Sequence, residues 1–118
     1  MKGRKAVSIR TALTEKLSLE YPIVSAPMGS VAGGRLAAAV SNAGALGLVG
    51  GGYGDPDWLR AELSTARSET ARPWGVGLIT WHATHEPVEL VLGYEPHVFM
   101  LSFGDPGPFV PAIGVGAF

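Results

Sequence analysis

The sequence predicts an α/β fold with a parallel sheet, and three observations support this prediction. Short apolar runs alternate with helix-favouring segments, and the runs begin near residues 22, 46, 75 and 98. The 17 glycines and 9 prolines stand mostly at the ends of these runs, where turns belong. The runs show no polar–apolar alternation, which is typical of parallel strands buried on both faces.

The first predicted strand lies in the motif YPIVSAPMG. Its apolar run, Ile23-Val24, stops at Pro27 and Gly29, so we expect a buried strand with a Pro-Gly exit. Residues 1–20, before this strand, are predicted to form an N-terminal leader with a weak helical pattern.

A helix and a second strand are predicted next. The segment GRLAAAVSNAG is rich in alanine, and Leu36 and Val40 fall four apart on one helical face. Asn42 and Gly44 provide a C-terminal stop for this helix. The following run, ALGLVGGG, is too short for a helix and is therefore predicted to be a strand.

Two further strand–helix units complete the pattern. Asp55 is predicted to cap a helix that starts at Pro56, with Asp57 at the positive end of the helix dipole. The segments WGVGLITW and HVFMLSFGD are predicted to be the third and fourth strands, separated by a short helix in EPVELVLGY. PGPFVPAI then begins another connection.

This spacing favours a partial TIM, or (β/α)8, barrel, whose units average about 30 residues. Residues 21–118 are predicted to contain about its first four βα units and to end after strand 4. Half a barrel exposes apolar edges at strands 1 and 4, so we expect self-association through these edges.

Composition narrows the classes of function. The net charge is −1, with no basic stripe for nucleic acid, and no segment has the roughly 20 apolar residues that span a bilayer. Cysteine is absent, which excludes disulfides and thiolate chemistry. His82 and His85 lack an accompanying carboxylate or third ligand at a recognised spacing, so no metal site is predicted. We expect a cytoplasmic protein.

The glycines at 50–52 raise the question of a ligand loop. They follow a predicted strand, but neither a G-x-G-x-x-G nor a phosphate-binding G-x-x-x-x-G-K-[ST] pattern occurs. A structural turn and a loop lying flat against a bound ligand both remain open. In parallel α/β folds, ligands bind at the carboxyl ends of strands, and glycine allows close backbone approach there.

The stretch PIVSAPMGSVAGGRLAAAVSNAGALGLVGGG resembles the opening of the nitronate monooxygenase family, formerly called 2-nitropropane dioxygenases. The resemblance continues through PWGVGLITW and HVFMLSFGDPGPFVPAI and covers about residues 20 to 113. It implies a flavoprotein with an FMN-binding TIM barrel that oxidises alkyl nitronates with molecular oxygen, giving a carbonyl compound and nitrite.

The resemblance also implies which residues contact FMN. Ala26, Pro27 and Met28 match the family segment that packs against the flavin ring, and Gly29 leaves space beside it. The other matching positions are glycines that offer backbone contact alone, Gly50, Gly51 and Gly77. The family usually has asparagine where this chain has Gly77. The family's catalytic histidine lies on later strands, so no catalytic residue is assigned.

Two alternatives remain at this stage. An FMN-dependent enoyl reductase shares the barrel and the N-terminal motifs. A truncated, non-catalytic fragment is the other alternative, and the uncharged tail GVGAF supports it.

Overall fold

Three strands form one parallel sheet in the computed structural model, which describes residues 9–114. They are β1 (Gly47–Gly52), β2 (Trp74–Ile79) and β3 (Val98–Ser102), paired in that order. In the register of the sheet, Gly50 pairs with Gly77, which in turn pairs with Met100. The predicted α/β class and its parallel sheet are thus confirmed.

Helices precede, connect and follow the strands. They are α1 (Ala12–Leu17), α2 (Gly34–Asn42), α3 (Pro56–Glu69), α4 (His85–Leu92) and α5 (Val110–Ile113), with a 3-10 turn at Thr80–His82. As predicted, the Asp55 side chain caps α3, where it accepts a hydrogen bond from the backbone N–H of Asp57 at 3.0 Å. None of the helices within residues 9–114 is long and apolar enough to cross a bilayer.

The first predicted strand is reduced to a single parallel bridge between Val24 and Leu46. Ile23 and Val24 are exposed, so the prediction of a buried strand is wrong at this position. The ladder stops because the Ser25 hydroxyl, 3.0 Å away, accepts the hydrogen bond from the Leu48 amide. This contact lets the chain leave the sheet immediately after Ser25.

Helix α2 buries a different face from the expected one. Leu36 is exposed, and the buried positions carry small residues: Gly34, Ala37, Ala38 and Ser41. A Cβ on Gly47 of β1 would collide with the backbone of Ala37. The helix therefore lies so close to the strand that only small side chains fit between them.

The main core lies between the sheet and helices α3 and α4. Side chains from one face of the sheet pack there against the helices; its fully buried members include Val49, Val76, Leu78, Leu59, Leu63, Val88 and Val91. Since successive residues of a strand point to opposite faces, Gly50 and Gly77 lie on the other face, which we call the inner face. The inner face is where the chain after Ser25 crosses the sheet.

Candidate ligand site at the carboxyl ends of the strands

The segment Ala26–Gly29 lies on the inner face, directly over two paired glycines. A Cβ on Gly50 would collide with the carbonyl group of Met28. A Cβ on Gly77 would lie 2.5 Å from both Cβ and Cγ of Pro27. We call the pair Gly50–Gly77 the glycine seat, because the absence of two side chains makes room for this segment.

The polar groups of Gly50 are bonded within the protein. Its N–H donates to the Ala32 carbonyl at 2.8 Å, and its carbonyl accepts from the Trp58 indole N–H at 2.9 Å. The register of β1 against β2 shifts between Gly50 and Gly52, as in a β-bulge. These bonds hold the bulge in place from both α3 and the segment before α2.

Gly51 faces the helices rather than the inner face. A Cβ placed on it would lie 2.6 Å from Cδ2 of Leu78 and 3.2 Å from Cδ2 of Leu59. Both Gly50 and Gly51 are buried, as is Gly77. Close packing against neighbouring residues therefore explains why glycine occupies these three positions. Contact between a ligand and these glycines stays a prediction.

The accessible part of the predicted site is the segment itself. Ala26 and Gly29 are exposed, and Met28 is 50% exposed. The Met28 carbonyl accepts hydrogen bonds from Val31 and Ala32 at 3.1 and 2.8 Å, which closes the turn into α2. The result is a short apolar strip whose backbone is held by the sheet below and by the turn behind it.

His85 and His97 lie apart from this strip. The His97 backbone donates to the Trp74 carbonyl at 2.9 Å, at the amino end of β2. His85 begins α4, and its ring centroid lies 5.2 Å from that of Phe109. In the described residues, no three imidazole or carboxylate groups are grouped as metal ligands would be. The side chain of His82 lies outside the described part.

Sequence reasoning missed three exposed aromatic residues at this end of the sheet. Tyr53, Trp81 and Phe103 follow the ends of β1, β2 and β3 within two positions. The Tyr53 and Trp81 rings meet edge to face with centroids 6.2 Å apart. The signal was present in the sequence, since the second, third and fourth apolar runs are each followed by an aromatic residue near a glycine or a polar turn.

Residues 10–91 match the family model described as nitronate monooxygenase. The chain belongs to the nitronate monooxygenase family. The match includes the glycine seat and the segment Ala26–Gly29, so the expected resemblance is confirmed over the central part of the candidate site. It ends before β3.

Curated relatives of the family match a similar part of the chain. A probable nitronate monooxygenase of Staphylococcus aureus is 39% identical over 69 residues, 58% of this chain and 19% of that protein. The (3aS,4S,5R,7aS)-5-hydroxy-7a-methyl-1-oxo-octahydro-1H-indene-4-carboxyl-CoA dehydrogenase of Mycobacterium tuberculosis is 40% identical over 70 residues, 59% of this chain and 20% of that protein. The chain thus spans about a fifth of the length of these relatives.

A solved structure extends the comparison to the fold. The structure of FabK from Thermotoga maritima superposes with a TM-score of 0.80 and 33% sequence identity. The superposition covers 90% of this chain and 34% of the FabK chain. The chain therefore adopts a part of the barrel fold of this family, as the spacing of its strands predicted.

Proposed function

We propose that this chain provides part of an FMN site and that the protein containing it oxidises alkyl nitronates with molecular oxygen, giving a carbonyl compound and nitrite. The observation that carries the proposal is the apolar segment Ala26–Gly29, seated on Gly50 and Gly77 at the carboxyl ends of the strands. The family to which the chain belongs supports it, and carboxyl ends are where barrel enzymes bind their ligands.

The residues of this segment suit a flat, uncharged ring system. Ala26 and Gly29 project little beyond the backbone, and Met28 offers a soft, polarizable thioether for contact with an aromatic system. Pro27 restricts the backbone conformation, and its ring packs directly over Gly77. Such a surface positions a ring without a rearrangement of the chain, because its backbone is already ordered before binding.

Gly77 contributes space rather than a side chain. With the Pro27 ring 2.5 Å from where a Cβ would be, no larger residue fits at position 77 without moving the segment. We propose that this chain holds the flavin side of the site through the segment above Gly77, instead of through a hydrogen bond from position 77. FMN itself would supply the redox chemistry when bound, and the protein would position it.

A second candidate is an FMN-dependent enoyl reductase that acts on a thioester. The name of the Mycobacterium tuberculosis relative favours it, because that protein is a dehydrogenase of a carboxyl-CoA compound. Two assays separate the candidates. Oxygen consumption that depends on an alkyl nitronate supports the first, and oxidation of a reduced nicotinamide cofactor that depends on an enoyl-CoA supports the second.

The first experiment is a visible absorption spectrum of the purified chain after incubation with FMN and desalting. We expect retained flavin with a perturbed spectrum in the unmodified chain. Gly50→Ala should lose it, because the new Cβ collides with the Met28 carbonyl and lifts the segment. Gly93→Ala is the matched control, since Gly93 lies at the end of α4 with φ −62° and should retain flavin. A chain that retains no flavin contradicts the proposal.

We also propose that the sheet edges make the 118-residue chain self-associate. The edge residues Ile23, Val24 and Met100 are exposed and apolar. Unpaired strand edges of this kind favour pairing with another chain. Sedimentation velocity should show species heavier than the 12.3 kDa of one chain, and a monodisperse monomer would contradict this.

A further inference from the structure

Three aromatic residues beyond the strand ends are exposed near the candidate site. Trp81 is 65% exposed, Tyr53 58% and Phe103 79%. We call Tyr53, Trp81 and Phe103 the aromatic rim. Burial of large aromatic side chains against an apolar partner is favourable in free energy. Exposed aromatic residues near one another therefore indicate a binding surface.

The backbone beneath the rim is tied across the strands. The Thr80 hydroxyl donates to the Ser102 carbonyl at 3.0 Å, which joins the end of β2 to the end of β3. A Cβ on Gly104 would lie 2.6 Å from the backbone nitrogen of Trp81, so the two turns are in close contact. The turns that carry Trp81 and Phe103 are therefore connected, and Tyr53 joins them through the contact of its ring with Trp81.

Phe103 has a strained backbone. Its φ of 62° lies in the left-handed region, which a bulky residue without glycine's freedom adopts at a cost of about 1 kcal/mol or more. The surrounding turn maintains this conformation, although the Phe103 side chain gains little burial from it. Strain that leaves an aromatic ring in solvent is typical of residues that contact a ligand.

The charged residues near the rim indicate which kind of chemical group the rim binds. Asp57 forms an ion pair with Arg60 at 3.7 Å and adds little net charge. The other carboxylates near the rim along the chain are Asp55, after Tyr53, and Asp105, after Phe103. These carboxylates disfavour a phosphate or carboxylate ligand at the rim. An uncharged, apolar group is therefore the partner that suits the three aromatic rings.

We propose that the aromatic rim binds the uncharged alkyl portion of the substrate, so that the chain favours substrates with longer alkyl groups. This inference rests on the proposed function, because it places the substrate beside the segment Ala26–Gly29. Each added methylene group that leaves water for the rim should strengthen binding about fourfold.

NMR spectroscopy of the indole N–H groups provides the test, because the chain contains only three tryptophans and each can be followed separately. Trp74 is buried and Trp58 is bonded to Gly50, so their indole N–H resonances serve as internal controls for that of Trp81. The FMN-treated chain is titrated with nitroethane, nitrobutane and nitrohexane, at a pH where all are uncharged. We expect saturable shifts of the Trp81 resonance, with the dissociation constant falling about fourfold per methylene.

Variants of the rim provide the second measurement. Phe103→Ala and Tyr53→Ala should raise the dissociation constant for nitrohexane about tenfold, and that for nitroethane by less than about twofold. Tyr21→Ala is the matched control, since Tyr21 is an exposed aromatic residue beside Gly44, before β1 begins. An unchanged Trp74 resonance shows that each variant is folded.

Several outcomes would overturn the inference. They are an absence of Trp81 shifts, equal affinity for all chain lengths, and equal shifts at all three indoles. A Trp81 resonance that moves with protein concentration would instead assign the rim to contact between copies. The visible spectrum of the same sample separates the two proposals: retained flavin without Trp81 shifts refutes the rim alone. Chain-length-dependent Trp81 shifts without retained flavin refute the FMN site but support the binding of alkyl groups at the rim.

Discussion

The two faces of the sheet are filled in different ways. On the helix side, Val49, Val76 and Leu78 pack against side chains such as Leu59 and Leu63. On the inner face, the glycine seat leaves room for the Met28 main chain above Gly50 and for the Pro27 ring above Gly77. Side chains adjust to a change of volume by rotation, but a backbone held at both ends adjusts little. The difference explains why glycine occupies positions 50 and 77, while Val49, Val76 and Leu78 carry large apolar side chains.

The largest effect is expected on the helix side. Leu63→Ala removes a fully buried side chain between α3 and the sheet and should lower the free energy of unfolding by about 3 kcal/mol. Urea unfolding followed by circular dichroism measures this loss. Leu36→Ala is the matched control, because Leu36 is exposed, and it should change the free energy little. Equal losses in the two variants would contradict the assignment of the core to this face.

A single methyl group on the inner face should cost nearly as much. Gly50→Ala places a Cβ against the Met28 carbonyl, so we expect a loss of about 2 kcal/mol in the free energy of unfolding. Gly93→Ala makes the same chemical change where the nearest atom, the Leu90 carbonyl oxygen, is 3.3 Å away. That variant should lie within about 0.5 kcal/mol of the unmodified chain. If Gly50→Ala behaves like Gly93→Ala in urea unfolding, the glycine seat does not exist as described.

A smaller effect is expected where the two faces are linked. Trp58 reaches from α3 to the Gly50 carbonyl, so Trp58→Phe removes that hydrogen bond while keeping an aromatic ring. The loss in the free energy of unfolding should be about 1 kcal/mol. Hydrogen exchange should also accelerate at the Gly50 amide, which donates to Ala32. Unchanged exchange at Gly50 would show that the indole does not hold the bulge.

The smallest effect concerns the helix that follows the inner-face segment. No side chain caps α2 locally, and its Gly34 amide instead donates to the Glu62 carboxylate of α3 at 2.9 Å. Glu62→Ala should lower the free energy of unfolding by about 1 kcal/mol, and Glu62→Gln by about half of that, since the amide oxygen still accepts. Thermal unfolding of both variants checks this order. Equal losses would mean that the charge, rather than the acceptor, stabilises α2.

Local signals in the sequence were sufficient for the type and order of most elements. Asp55, Pro56 and Asp57 specify the start of α3 because a cap, a fixed φ and a charge all act within one turn of helix. The uninterrupted apolar runs predicted β1 and β2, which are buried nearly throughout. The motifs around Ala26 and Gly50 were also enough to recognise the family.

Contacts between distant residues decided the rest. The face that α2 buries depends on how closely the helix approaches Gly47, and the end of the first strand depends on a hydrogen bond between Ser25 and Leu48. The reason for each glycine is likewise a neighbour far away in the chain: Met28 for Gly50, Leu78 for Gly51 and Pro27 for Gly77. Residue types and their spacing in the sequence do not specify the distances between such neighbours, because packing sets these distances only in the folded chain.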